Sequence, residues 1–114
     1  TWEMSRIVRE TSRVKVLSQI MAKKLHRVKP MKGYIKPFYR NTNPLVGKFP
    51  GVHFIATKTG YNHAAGYSIA AVAKVRGFGE LTFVLLGCKR KADRPKDIKK
   101  IIRWLRSGGR QKNI

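Results

Sequence analysis

Lys58, Thr59 and Gly60 stand together in a chain that carries few other candidates for chemistry. Each of the three residue types has a use at a peptide-processing site. A lysine supplies positive potential for a substrate carboxylate and, beside a nucleophilic serine, helps move a proton. A threonine hydroxyl binds a carboxylate directly. A glycine lacks the Cβ that would keep a substrate backbone off the strand. A strand used this way lies at a sheet edge, where an extended peptide pairs with it as an added strand.

The elements that must position this triplet follow from the pattern around it. Three strands are predicted, over 52–58, 66–75 and 81–86, joined as an antiparallel meander. The triplet ends the first strand and a turn follows. The small residues of 66–75 invite close packing on one face. Arg76-Gly77-Phe78-Gly79 is the second turn. A closing helix is capped by Asp93 or a neighbour, has Pro95 in its first turn and presents Ile98, Ile101, Ile102 and Leu105 as one apolar face. Gly108-Gly109 stops it. Upstream, helices are predicted over 2–11, with Trp2, Met4, Ile7, Val8 and Thr11 inward, and over about 14–24, using Val16, Leu17, Ile20 and Met21. Thr1 is a candidate cap for the first. The Pro/Gly-punctuated stretch 27–50 reads as an extended connection with one short strand at 34–39. The expected organisation is a helical segment and connection at 1–50, a Lys-Thr-Gly meander with its helix at 51–107, and a basic tail at 108–114.

Over a long stretch this pattern resembles the serine-type D-alanyl-D-alanine carboxypeptidases, the small penicillin-binding proteins. Gly51-Val52 precedes the strand. Lys58-Thr59-Gly60-Tyr61 closes it, and Ala64-Ala65-Gly66-Tyr67 opens the next. A Val/Leu-rich strand then ends in Leu86-Gly87. In that family Lys-Thr-Gly is one of three active-site motifs. Asn41-Thr42-Asn43-Pro44-Leu45 looks like the segment the family places before this strand, and 4–21 like a helical stretch after its second motif. The resemblance implies an α/β fold, the C-terminal part of a penicillin-binding-protein/β-lactamase-like architecture. It implies peptidoglycan stem peptides or β-lactams as partners, a periplasmic or cell-envelope location, and no cofactor. It makes Lys58 the electrostatic residue, Thr59 the carboxylate binder and Gly60 the point of close approach. The Tyr61 backbone N–H becomes one of two oxyanion donors. His63, in the turn beyond, is placed to touch substrate.

The other two motifs of that family are not found. Ser12-Arg13-Val14-Lys15 fits Ser-x-x-Lys, and Tyr39-Arg40-Asn41 fits a Tyr-x-Asn variant. With 5 serines and 15 lysines in 114 residues, one Ser-x-x-Lys is an even chance. The resemblance also sets Ser12 downstream of where a nucleophile belongs. The expectation is a site without its own serine, completed by an upstream half of the same fold.

Charge supports a second reading. There are 26 Lys+Arg against 5 Asp+Glu, a net charge of +21. Twelve basic residues lie in 1–50 and eleven in 88–114, leaving a nearly neutral centre. Such flanks seek polyanions such as nucleic acid, an anionic membrane surface or an acidic wall polymer. On this alternative, Lys89, Arg90, Lys91, Lys99 and Lys100 contact the anion in a catalytically inactive remnant. The same charges are also what a merely solvated face would carry. Trp2 and Trp104 are expected to anchor helices in the core. Cys88, the single cysteine, is expected to be a small buried hydrophobe and forms no internal disulfide. His53 and His63 have no carboxylate or cysteine at metal-ligand spacing, so no metal is expected. No apolar run is long enough for a membrane span, and no signal peptide is visible.

Overall fold

The protein is described by a computed structural model that covers residues 1–28, 33 and 38–109. Its elements are α1 (Trp2–Arg13), α2 (Lys15–Met21), β1 (Leu25–Arg27), β2 (Phe38–Arg40), β3 (Val52–Asn62), β4 (Gly66–Val75), β5 (Gly79–Cys88) and α3 (Asp93–Arg106). The fold is α/β. A three-stranded antiparallel sheet in the order β3-β4-β5 carries helices on both faces, and β1 and β2 form a separate two-stranded antiparallel ribbon.

The meander is present, with longer strands than the sequence pattern implied. β3 runs on through the triplet to Asn62, because Lys58 to Asn62 continue in register with Ala70 to Gly66 of β4. The Lys-Thr-Gly triplet therefore sits inside a strand and does not end one. The tight turn comes later, at His63–Ala65, where the Asn62 side chain accepts the Ala65 N–H at 2.6 Å. Gly66 then takes a φ of +73°, and a Cβ there would meet the Cys88 carbonyl at 2.8 Å. Only glycine fits that position without moving backbone.

Two apolar clusters lie on opposite faces of the sheet. The larger joins Leu45, Phe54, Ile69, Ala71, Ala73 and Phe83 to Ile98 and Ile102 of α3. The smaller joins Ala56, Ala70 and Val72 to Val8 of α1. Phe54 and Ala56 stand two residues apart and in a regular strand would share a face. A register shift between them sends Phe54 to the α3 side and Ala56 to the α1 side. Such a bulge opposes two residues to one and reverses the alternation beyond it. It thereby decides where each residue of the triplet points.

The closing helix buries the predicted face. Ile98 and Ile102 are fully buried, and Ile101 and Leu105 are half-buried. Its cap differs from expectation. The N-cap position is Ala92, with no side-chain cap. Asp93 lies inside the first turn, and its carboxylate accepts the Arg90 N–H at 3.0 Å.

The N-terminal helices differ more. The chain breaks at Val14, which is extended, so α1 and α2 are separate. Thr1 occupies the N-cap without a side-chain bond. Of the predicted inward residues, α1 buries Val8 alone, and α2 turns Met21 inward while Val16, Leu17 and Ile20 stay exposed. Trp2 and Trp104 are 68% and 52% exposed, so neither is a core anchor. At 100° per residue, Trp2 shares a narrow stripe of α1 with Arg6, Arg9 and Arg13, opposite Val8. Packing through Val8 leaves the indole outside. β1 was not foreseen. The predicted strand at 34–39 overlaps β2 at Phe38 and Tyr39, and its residues 34–37 lie outside the described residues. The tail 108–114 is described only at Gly108 and Gly109. Among the described residues, no helix is long and apolar enough to cross a membrane.

Candidate functional site

β3 is an edge strand, and the triplet lies on it. Beyond the bulge, alternation sends Ala56, Lys58 and Gly60 to the α1 side and Thr57, Thr59 and Tyr61 to the α3 side. The contacts agree. Lys58, Thr59 and Gly60 line a small pocket of about 140 Å³ with Met4, Ser68, Ile69, Ala70 and Leu86. On the other side the Thr59 hydroxyl lies 2.6 Å from that of Thr42, and the Tyr61 ring stacks on Tyr67 at 4.3 Å between centroids. Lys58 is exposed, and its ammonium turns back to the Thr59 carbonyl. The lysine charge and the threonine hydroxyl thus flank one strand edge from opposite faces.

The segment before β3 holds the hydroxyl pair in place. The Asn41 amide donates to the Met21 and Lys23 carbonyls, each at 2.8 Å, tying the segment to the end of α2. Its Oδ1 accepts the Asn43 N–H at 2.9 Å. The fully buried Asn43 donates to the Thr57 hydroxyl at 3.1 Å and accepts the Leu45 N–H at 3.1 Å. These short-range bonds satisfy a buried amide that would otherwise be costly. One of the paired hydroxyls donates to the other, which leaves one O–H free to donate elsewhere.

Arg94 is the site residue that sequence reasoning missed. It is 5% exposed, and among the described residues no carboxylate pairs with it. Its guanidinium lies over the Tyr67 ring and donates to the Ser68 and Lys91 carbonyls, each at 3.3 Å. Arg94 and Lys91 line a cleft of about 530 Å³ with Arg40, Asn41, Thr42 and Pro95. A buried cation without a counter-ion attracts an anion. The warning signs were available: an arginine on the turn of α3 before Ile98 falls on the inward face. It was hidden among many basic residues.

Gly60 has a local reason for its identity. An added Cβ would stand 2.9 Å from the Ser68 hydroxyl, which donates to the Gly60 carbonyl at 3.3 Å. The space left by the missing side chain is held by Ser68. Gly60→Ala should therefore cost about 1 kcal/mol. In urea titrations the Gly60→Ala/Ser68→Ala pair should be more stable than the sum of the single changes. Strict additivity would show that the two groups do not collide.

None of the five serines is set up as an activated nucleophile. Ser5, Ser12, Ser18 and Ser107 each donate to a carbonyl three residues earlier in their own helices. Ser68 is engaged with Gly60. The break at Val14 also puts Ser12 and Lys15 on different helices, which spoils the Ser-x-x-Lys geometry. Asn41 is consumed by the bonds that tie its segment down, and Tyr39 lines a separate groove.

His63 is exposed in the β3–β4 turn and lines neither the Lys58 pocket nor the Arg94 cleft. His53 lies at the other end of β3, opposite Lys74. Among the described residues, no group of His, Cys, Asp or Glu could hold a metal ion. Lys89, Arg90 and Lys91 are exposed in the loop before α3, where Arg90 pairs with Asp93 at 3.4 Å. Lys99 is half-buried, and the exposed Lys100 reaches Asp97 at 3.8 Å. The two basic groups are separated by about 10 Å of helix. Cys88 is half-buried; burial, then Asp97 and Asp93, raise its thiol pKa and favour the neutral form.

A scan against protein-family models found no match, and searches of the curated proteins and of the solved structures found none.

Proposed function

We propose that this chain is the C-terminal part of a D-alanyl-D-alanine carboxypeptidase-like serine peptidase acting on peptidoglycan stem peptides. The observation that carries the reading is that Lys58-Thr59-Gly60 lies on an edge strand of the sheet among the described residues. A peptide end laid along β3 meets the Lys58 charge, the Thr42–Thr59 hydroxyl pair and the Arg94 cleft. Its terminal carboxylate suits the hydroxyls and the Arg94 cleft on the α3 face, and Lys58 adds positive potential from the other face. In the reaction a serine oxygen attacks the carbonyl of the penultimate D-alanine. The C–N bond breaks, D-alanine leaves, and water hydrolyses the acyl-serine. The share of residues 1–114 is substrate docking and, through the Tyr61 N–H, one oxyanion donor. The serine comes from an upstream half of the fold.

The test is intact-mass spectrometry of the native preparation after exposure to benzylpenicillin, with any co-purifying polypeptide included. A penicilloyl adduct on a serine outside residues 1–114 is expected. Absence of any adduct would overturn the reading. An adduct on Ser12 or Ser68 would overturn the assignment of the serine to another segment.

The charge favours a second reading, in which the chain is an inactive binder of nucleic acid or another polyanion. Lys89, Lys91 and Lys96 are exposed beside the start of α3 and enter none of the ion pairs among the described residues. Phosphate contacts of this kind weaken steeply with salt, whereas acylation by benzylpenicillin does not.

A further inference from the structure

We propose that the outer face of α2, with the β1–β2 ribbon beside it, docks on an anionic lipid bilayer. Among the described residues, ten of the thirteen exposed large hydrophobic side chains lie in residues 1–40, so the exposure is concentrated at one end of the chain. On α2, Val16, Leu17 and Ile20 are 59%, 42% and 62% exposed. At 100° per residue they fall within one arc, while Ser18 and Met21 turn inward. Ile20 and Tyr39 share a groove of about 380 Å³ with Lys23, His26 and Arg40. An exposed apolar patch rimmed by cations marks a contact surface.

Charge selects the occupant. The groove beside α2 is rimmed by Lys23 and Arg40 and lined by no carboxylate among the described residues, so a second copy of this surface would repel the first. A phosphate backbone attracts the cations and offers nothing to Val16, Leu17 and Ile20. An anionic bilayer satisfies both parts. Aliphatic side chains enter the headgroup boundary, Tyr39 suits the interface, and lysine stems lie along the apolar layer with their charges outward. The bilayer is also an extended negative surface, which matches a chain that is basic at both ends.

The experiment is co-sedimentation of the protein with phosphatidylcholine vesicles, with and without phosphatidylglycerol, in about 0.1 M salt. Binding is expected only with phosphatidylglycerol. Leu17→Ser/Ile20→Ser should weaken it at least about 10-fold, because membrane affinity follows buried apolar area. Lys96→Glu/Lys100→Glu, on the exposed side of α3, should weaken it less. Circular dichroism would show that both variants stay folded, since all four side chains are exposed. No binding to phosphatidylglycerol vesicles would overturn the proposal. So would unchanged binding by the serine variant, which would mean adsorption through charge alone. Self-association abolished by Leu17→Ser/Ile20→Ser, seen by sedimentation equilibrium, would identify a second copy as the occupant and overturn it equally. Benzylpenicillin acylation of the same samples reports on the peptidase reading separately, and this proposal does not rest on it.

Discussion

Lys58→Met should slow acylation by benzylpenicillin at least about 100-fold in the protein that carries the reacting serine. On the proposed reading Lys58 supplies the positive charge at the β3 edge. Methionine keeps much of the aliphatic length and removes the ammonium. The side chain is exposed and its bond is to the carbonyl of the next residue, so the fold loses little. A surface change of this kind lies within about 0.5 kcal/mol of the parent. The measurement is the rate of penicilloyl-adduct formation, read by mass beside a thermal melt. A variant that melts normally and acylates at the parental rate would remove Lys58 from the site. Thr59→Val provides the companion measurement. It deletes the hydroxyl that pairs with Thr42 at 2.6 Å, and it should weaken recognition of the substrate carboxylate more than the reactivity of the serine.

Ile102→Ala should cost about 3–4 kcal/mol, the largest stability loss expected from a single change here. Ile102 is 0% exposed and sits with Ile98 where α3 meets Phe54, Ile69 and Phe83. Alanine removes three carbons and leaves a cavity that the rigid sheet cannot close. A domain of this size holds only about 5–15 kcal/mol, so the urea midpoint should fall sharply. Ile20→Ala is the control. It removes the same atoms from a side chain 62% exposed, and the midpoint should move little. Equal losses at both positions would mean that α2 is packed against something and that Ile20 is not free.

The sequence by itself determined the meander, the closing helix and the helical start of the chain, though not β1. The spacing of Ile98, Ile101, Ile102 and Leu105 named the buried face of α3, since a helix repeats every 3.6 residues. The turn glycines and alternating apolar runs named the β3–β4–β5 meander. The Lys-Thr-Gly triplet was visible as a string of residue types. The tertiary structure decided everything that depends on a partner element. The bulge between Phe54 and Ala56 reverses the faces of β3, and no residue type there announces it. It places Thr59 beside Thr42 and Lys58 beside Met4. The apolar residues of α1 and α2 span arcs wider than the strip each helix lays on the sheet, so periodicity could not say which of them would meet it. Packing chose Val8 and Met21 and left Trp2 and Ile20 outside. Arg94 was one cation among many until the fold buried it over Tyr67. Local pattern fixes what can be formed from neighbouring residues; the pairing of distant surfaces is decided by which contacts exclude the most water together, and that is a property of the assembled chain.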